Sequence, residues 1–244
     1  MKDNFTDKVL KLIKEIDIAE FKNIEKAGQL VYKAMKEDKL LHVFSTGHSH
    51  MVAEEMFYRA GGLIQINPML EPFLMQHEGA YRSTMFERLS GVSEILFDCA
   101  NIKPGDPIMI ISNSGINPVP VEMAEIAKER GHQVIVMTSI GSSTNLQSRV
   151  KSKKHLYDLG DVVIDNHCPH GDGIMSLEQV DMKVGAVSTI ACAYIAQRLV
   201  LNIVRLYEND GLIPPIYMSA NVEGGDAHNK ELIQKVDGRI RSLY

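Results

Sequence analysis

The chain has 244 residues, enough to bury the core of one α/β domain, and carries 31 acidic against 26 basic side chains. Because this balance is mildly acidic and no wide basic face stands out, nucleic acid is not expected as a partner. Three scattered cysteines and the absence of an apolar leader favour a cytoplasmic protein. The longest uncharged helical stretch, 184–197, is shorter than the about 20 apolar residues that span a bilayer, so no membrane association is expected.

The predicted elements alternate between helices and short apolar strands. Helical spacing of apolar residues predicts one or two helices over residues 5–38. Short apolar runs bounded by turn residues predict five strands, at 40–45, 63–67, 107–112, 133–138 and 161–165. A long helix is predicted from 176 to about 208, and a last helix from 230 to about 241. This alternation predicts one α/β domain with a parallel sheet between two layers of helices.

Loops of small hydroxyl and amide residues follow three of these strands. The third predicted strand ends in Ser112-Asn113-Ser114-Gly115, and a helix opens at Pro118. The first ends in Ser45-Thr46-Gly47-His48-Ser49 and the fourth in Thr138-Ser139. Unpaired N–H groups and the dipole at a helix start attract anions, and loops at the carboxyl ends of parallel strands converge. These loops predict a phosphate site, and the alternative is a set of ordinary serine-capped turns.

The loops resemble those of the sugar isomerase (SIS) domains, which bind phosphosugars. The resemblance covers residues 25–207 and is carried by Ser112-Asn113-Ser114-Gly115 with Asn117, where many members have Ser-x-Ser-Gly-x-Thr. It implies a flavodoxin-like three-layer α/β/α sandwich, with N-terminal helices at 5–38 and a C-terminal extension at 212–244. It also implies a homodimer, which small residues in the long predicted helix favour. Asn117 departs from the family pattern, because it lacks the threonine hydroxyl.

The same resemblance implies catalytic residues for an aldose–ketose isomerase, which moves a proton between C1 and C2 of a sugar phosphate. Glu178 lies in the predicted first turn of the long helix, where SIS isomerases place a catalytic glutamate. The alternative for Glu178 is a carboxylate that merely stabilises the helix dipole. His77 lies in a segment that resembles one in SIS isomerases, which implies a role in ring opening, and its alternative is a loop histidine that caps a turn. Glu87 lies where the etherase relatives carry an acid, and its alternative is an ordinary pair with Arg88.

No metal or other cofactor is expected. His50 and Glu54 share one face of a helix, as in the metal site of phosphoheptose isomerases, but the long helix lacks the histidine that would complete the ligand set. His170, after the Cys168-Pro169 pair, is in a run comparable to one in arabinose 5-phosphate isomerases and either faces the sugar or lies in a plain loop. The basic cluster from Arg149 to Lys154 is interpreted as a solvated helix face, and the alternative is a patch that attracts anions.

The sequence thus favours a phosphosugar-binding protein that isomerises its substrate through an enediol. Two alternatives remain open. One is a non-catalytic phosphosugar sensor, and the other is a lyase or etherase acting on an amino-sugar phosphate through Glu87 or Glu78.

Overall fold

The computed structural model of the protein describes residues 4–244. Its centre is a five-stranded parallel sheet with the strand order β2-β1-β3-β4-β5. The strands are β1 (Leu41–Ser45), β2 (Ile66–Met69), β3 (Ile108–Ile111), β4 (Val134–Thr138) and β5 (Val162–Asp165). The order reverses between β1 and β3, as in flavodoxin-like folds. The predicted fold class is therefore confirmed.

Helices cover both faces of this sheet. One face carries α1 (Phe5–Ala19), α2 (Phe21–Lys36), α3 (His50–Met56) and α8 (Ser188–Asn209). The other carries α4 (Ala80–Glu87), α5 (Val92–Cys99) and α6 (Pro118–Glu129). Two further helices are α7 (Ile140–Ser143) and α9 (Gly225–Gln234).

The apolar strand β3 shows how the sheet joins the two layers. Met109 and Ile111 pack into the core beneath α2 and α8, whereas Ile108 and Ile110 pack into the core beneath α6. Successive side chains of a strand point to opposite faces, so a strand buried on both faces needs an unbroken apolar run. Such a strand leaves polar residues only at its ends, which is where the loops of the site begin.

The segment before α8 is a β-hairpin, which corrects the prediction of a helix from residue 176. The antiparallel strands β6 (Gly173–Leu177) and β7 (Val180–Ala186) are joined by a turn that contains Glu178. In β7 apolar and charged residues alternate with the period of a strand, and Gly185 has a φ of +74° that a continuing helix excludes. The helix begins only at Ser188, so the prediction that Glu178 lies in its first turn is wrong.

By length and composition, α8 is the one helix among residues 4–244 able to cross a membrane. It packs against α2 and α3, and its buried residues, such as Ile195, Leu199 and Ile203, join the core on one face of the sheet. This packing is that of a core helix.

A buried polar cluster lies at the amino end of β1. His42 and Asp106 have fully buried side chains, and His42 Nε2 donates to Asp106 Oδ2 at 3.0 Å. His42 Nδ1 accepts from Asn67 Nδ2 at 2.8 Å. Arg239, after α9, donates from its Nη2 to both carboxylate oxygens of Asp106, at 3.0 and 3.1 Å. The cluster therefore ties the C-terminal segment to the sheet.

Candidate functional site

A pocket of about 400 Å³ lies at the carboxyl ends of the strands, close to the reversal of strand order between β1 and β3. Its size and place are those expected of a small-molecule site in an open α/β sheet. The loops after β1, β3, β4 and β5 contribute to it, together with α4 and the turn before α4. It is lined by Thr46, Gly47, His48, Ser49, Gln76, Glu87, Ser112, Asn113, Ser114, Asn117, Ser142, Leu146, His170, Gly171 and Asp172.

The loop after β3 turns tightly because Gly115 has a φ of +60°, in the left-handed region. A Cβ atom on Gly115 would lie 2.9 Å from both Ser143 Oγ and Thr138 Oγ1. The Gly115 N–H donates to Ser112 Oγ at 3.3 Å, which closes the turn. Gly115 therefore lies on the side of the loop that faces Ser143 and Thr138, while Ser112 and Ser114 line the pocket.

The side-chain amide of Asn113 has a fixed orientation. The Cys168 N–H donates to Asn166 Oδ1 at 3.0 Å, so the Asn166 amide must present its Nδ2 on the other side. Asn166 Nδ2 in turn donates to Asn113 Oδ1 at 2.9 Å. Because its oxygen is occupied, Asn113 offers its Nδ2 as a hydrogen-bond donor at the pocket.

The start of α6 supplies fewer backbone donors than the sequence argument assumed. Pro118 and Pro120 carry no N–H, so Val119 holds the one free backbone donor of the first three helical positions. Asn117 stands at the N-cap position, yet its side chain makes no capping hydrogen bond within the described chain. The donors for an anion at this helix are therefore the Val119 N–H and the amide of Asn117.

Two carboxylates line the pocket, and they differ in their surroundings. Thr46 Oγ1 donates to Glu87 Oε1 at 2.8 Å, and among residues 4–244 no group is hydrogen-bonded to Glu87 Oε2. Asp172 Oδ1 accepts from the N–H groups of Val187 and Ser188, at 3.0 and 2.7 Å, and its Oδ2 accepts from Ser188 Oγ at 2.6 Å. Asp172 is committed to the start of α8, whereas Glu87 keeps one oxygen for a ligand.

The other ionisable groups at the pocket are imidazoles. His48 and His170 are both exposed, and His170 Nδ1 lies 3.5 Å from Ser142 Oγ. Within the part of the chain that the structure describes, no lysine or arginine lines the pocket. An anion there is surrounded by hydroxyl, amide and imidazole groups and by the two carboxylates.

The structure brings most of the predicted binding residues into this pocket. Nine of the predicted residues line it, namely Thr46, Gly47, His48, Ser49, Ser112, Asn113, Ser114, Asn117 and Glu87. Four others are not among its lining residues, namely Ser45, Gly115, Thr138 and Ser139. Ser139 caps α7, since its Oγ accepts from the Ser142 N–H at 3.2 Å. Ser45 Oγ is buried and has no hydrogen-bond partner within residues 4–244.

Two predicted catalytic residues are absent from the pocket lining. Glu178 is exposed at the tip of the hairpin, and the His77 side chain is 58% exposed in the turn before α4. Glu87 is the member of the catalytic set that lines the pocket. His50 is not a lining residue either; its Nε2 lies 3.5 Å from Glu54 Oε2, and residues 4–244 contain no group of three or more side chains arranged to hold a metal ion.

Sequence reasoning missed some lining residues, above all Gln76, Leu146 and Asp172. Gln76 and Leu146 lie in turns with no distinctive pattern. Ser142 belongs to the hydroxyl-rich run after β4, which was a usable signal. Asp172 precedes the hairpin that was mistaken for a helix, so its capping of α8 was hidden.

The strand order and the serine- and asparagine-rich loops around the pocket define a class of α/β protein. The amino-acid sequence identifies the same class. A family model described as SIS domain matches residues 4–139, so the chain belongs to the SIS domain family. The predicted resemblance is confirmed.

Relatives also match over the full length of the chain. A UPF0309 protein of Listeria monocytogenes serotype 4b is 40% identical over 243 residues, covering 100% of this chain and 98% of the relative.

Solved structures show the same fold at low sequence identity. A phosphoheptose isomerase from Neisseria gonorrhoeae has a TM-score of 0.52 and 14% identity, covering 84% of this chain and 95% of its own. The Vibrio vulnificus NanR protein, complexed with ManNAc-6P, has a TM-score of 0.53 and 13% identity, covering 95% of this chain and 67% of its own.

Proposed function

We propose that this protein binds a phosphorylated sugar in the pocket and isomerises it between aldose and ketose through an enediol. The observation that carries the proposal is the pairing of two features in one pocket of about 400 Å³. Fixed neutral donors lie on the loops after β1 and β3, and one carboxylate, Glu87, has an oxygen free for a ligand. A phosphate suits the donors, and a proton on the sugar carbon suits the carboxylate.

In this proposal the phosphate is held by the hydroxyls of Ser112 and Ser114 and by the amides of Asn113 and Asn117. Glu87 Oε2 takes the proton from C2 of the open-chain aldose and returns it to C1, while a second proton moves between the two oxygens. His48 and His170 line the same pocket and are available to open the sugar ring. Glu178 and His77 stay predictions, since neither is a lining residue.

The fold supports the phosphosugar assignment at the level of the ligand class. The structures that share this fold include a phosphoheptose isomerase and a protein complexed with ManNAc-6P. Their identity to this chain is 14% and 13%, so which sugar this protein binds rests on its own pocket. A cytoplasmic location and a homodimer remain expectations, and the latter is measured by sedimentation equilibrium of the purified chain.

The test is proton exchange observed by NMR in deuterated water, with hexose, amino-sugar, pentose and heptose phosphates. Deuterium at C1 or C2 of one sugar is the expected result and identifies the substrate class. If a sugar phosphate stabilises the protein against heat but its protons do not exchange, the protein is a sensor and not an isomerase. If an acid is released from the sugar, the protein is a lyase or an etherase and not an isomerase. Neither binding nor exchange with any sugar phosphate overturns the proposal.

A further inference from the structure

Among residues 4–244, those that line the pocket include no lysine or arginine to balance the charge of a bound phosphate. A sugar phosphate carries up to two negative charges, and the pocket holds Glu87 and Asp172 but, within residues 4–244, no lysine or arginine. Asp172 is offset by the N–H groups at the start of α8, but a phosphate dianion beside Glu87 still requires positive charge nearby. One lining residue, Asn117, is hydrogen-bonded to a permanently charged side chain, that of Arg149.

Arg149 is hydrogen-bonded to Asn117 from outside the pocket. Arg149 Nη1 donates to Asn117 Oδ1, and the Arg149 backbone N–H donates to the carbonyl oxygen of Ile116 at 3.0 Å. Arg149 as a whole is exposed, its hydrogen bond to Asn117 is partly buried, and it has no ion-pair partner among the residues the structure describes. Its neighbours Ser148 and Val150 are buried, with exposed fractions of 8% and 2%, so the backbone that carries Arg149 is firmly placed.

This contact sets what Asn117 offers to a ligand. Arginine is a donor only, so the atom facing Arg149 must be the amide oxygen, and the Asn117 Nδ2 is left for another acceptor. Asparagine at an N-cap normally uses that oxygen to accept an N–H of the first helical turn. Here the oxygen is occupied, so the Val119 N–H is also left uncapped.

We infer that Arg149 is a positioning residue for the phosphate: it holds Asn117 with its amide nitrogen toward the pocket and supplies, through that amide, a permanent positive charge that no lysine or arginine of the lining provides. This inference rests on the proposed phosphosugar site. It explains how asparagine serves at the position where the family resemblance predicts threonine. It also separates Arg149 from Lys151, Lys153 and Lys154, with which the sequence analysis had grouped it. The segment is a loop and not a helix, so the helical part of that interpretation was wrong, whereas the three lysines are exposed as expected.

The test measures binding by calorimetry, with the sugar phosphate selected by the exchange experiment and with inorganic phosphate as its competitor. Arg149→Met removes the charge and the donors, and we expect affinity for both ligands to fall about tenfold, the effect of losing one hydrogen bond to a charged group. Arg149→Lys keeps a charge and a donor and is expected to restore most of that loss. Lys151→Met, which removes an equal charge two residues away, is the matched control and is expected to change affinity less than about twofold.

A double-mutant cycle separates positioning from a general structural role. Asn117→Thr supplies a hydroxyl that has no amide orientation to fix, so Arg149→Met in that background should cost less than about threefold. A loss of equal size in both backgrounds overturns the inference, as does a wild-type affinity for Arg149→Met or an equal loss for Lys151→Met. If the wild-type protein binds neither ligand, the proposed function itself fails and the inference falls with it. If the wild type binds and Arg149→Met binds equally well, only the inference fails.

Discussion

Thr46 Oγ1 donates a 2.8 Å hydrogen bond to Glu87 Oε1, which joins the loop after β1 to the last residue of α4. The two residues are far apart in sequence, and each lies in a loop or helix that lines the pocket. The contact occupies one carboxylate oxygen of Glu87 and leaves Oε2 for a ligand. Glu87 is thereby oriented by the protein before any substrate arrives, as proton transfer requires.

The first prediction concerns this carboxylate. Glu87→Gln keeps an acceptor for Thr46 but removes the base, so we expect deuterium exchange to fall about 100-fold or more. The dissociation constant of the sugar phosphate should stay within about a factor of three, because the phosphate donors are untouched. NMR exchange and calorimetry on the same preparation measure the two quantities.

Two variants serve as comparisons for Glu87→Gln. Glu94→Gln changes an exposed glutamate on α5 and is the matched control, with wild-type exchange expected. Glu178→Gln tests the hairpin residue predicted from sequence. If Glu178→Gln loses exchange and Glu87→Gln retains it, the base is Glu178 in the hairpin turn and not Glu87.

The second prediction concerns the turn after β3. Gly115→Ala places a methyl group 2.9 Å from Ser143 Oγ and Thr138 Oγ1, in addition to the strain of a φ of +60°. Gly131→Ala has a φ of +81° but no atom within 4 Å of the new methyl group, so it carries the strain alone. We expect Gly115→Ala to lower the free energy of unfolding by about 1–3 kcal/mol more than Gly131→Ala. Urea denaturation measures both, and equal effects would show that the loop accommodates the methyl group.

The third prediction concerns the buried pair at the amino end of β1. Burial by itself raises the pKa of Asp106, but hydrogen bonds from His42 and from the N–H groups of Lys103 and Leu40 outweigh it and hold the pKa at about 2. A lowered carboxyl pKa stabilises the fold above the ordinary value of 3.8, and this contribution is lost as the pH falls through about 2. We expect Asp106→Asn to lower the free energy of unfolding at pH 7 by about 2 kcal/mol or more.

The pH dependence distinguishes this effect from a simple loss of packing. The difference in unfolding free energy between wild type and Asp106→Asn should shrink as the pH falls from 4 toward 2. Asp98→Asn is the control, because Asp98 pairs with Arg130 on the surface and is expected to contribute less than about 1 kcal/mol. A pH-independent difference for Asp106→Asn would contradict the assignment.

The fourth prediction concerns the three cysteines. Cys99 is exposed, whereas burial raises the pKa of Cys192 to about 12 and raises that of Cys168 as well. A thiol-specific reagent at pH 8 should therefore modify Cys99 in the native protein and all three cysteines in denaturant. Cys99→Ser should abolish the native reaction. Rapid labelling of Cys168 or Cys192 in the native protein would contradict the burial of that thiol.

The sequence was sufficient for the sheet and for most of the pocket because both leave local patterns. An unbroken apolar run such as Ile108–Ile111 identifies a buried strand, and the serines after it mark the carboxyl edge where loops meet. The hairpin was mistaken for a helix because short apolar stretches fit both periods, and the alternation in β7 is too short to decide without the turn at Gly185.

Contacts between distant residues left no such pattern. Nothing near Arg149 indicates that it reaches Asn117, and nothing near Thr46 indicates that it reaches Glu87. The burial of His42 beside Asp106 likewise depends on how β1 and β3 pair in the folded sheet. These pairings follow from the tertiary arrangement, so the hydrogen bonds of Glu87 and Arg149 required the structure.

The strand β1 has the buried polar cluster at one end and the pocket at the other. Its amino end holds His42, on which the buried cluster depends, and its carboxyl end leads to Thr46, about 13 Å away at the rise of an extended strand. Substitutions at sites this far apart act additively on stability. The loops that line the pocket can therefore diverge without changing what the buried cluster contributes to stability, and a change of ligand in this scaffold need not disturb that cluster.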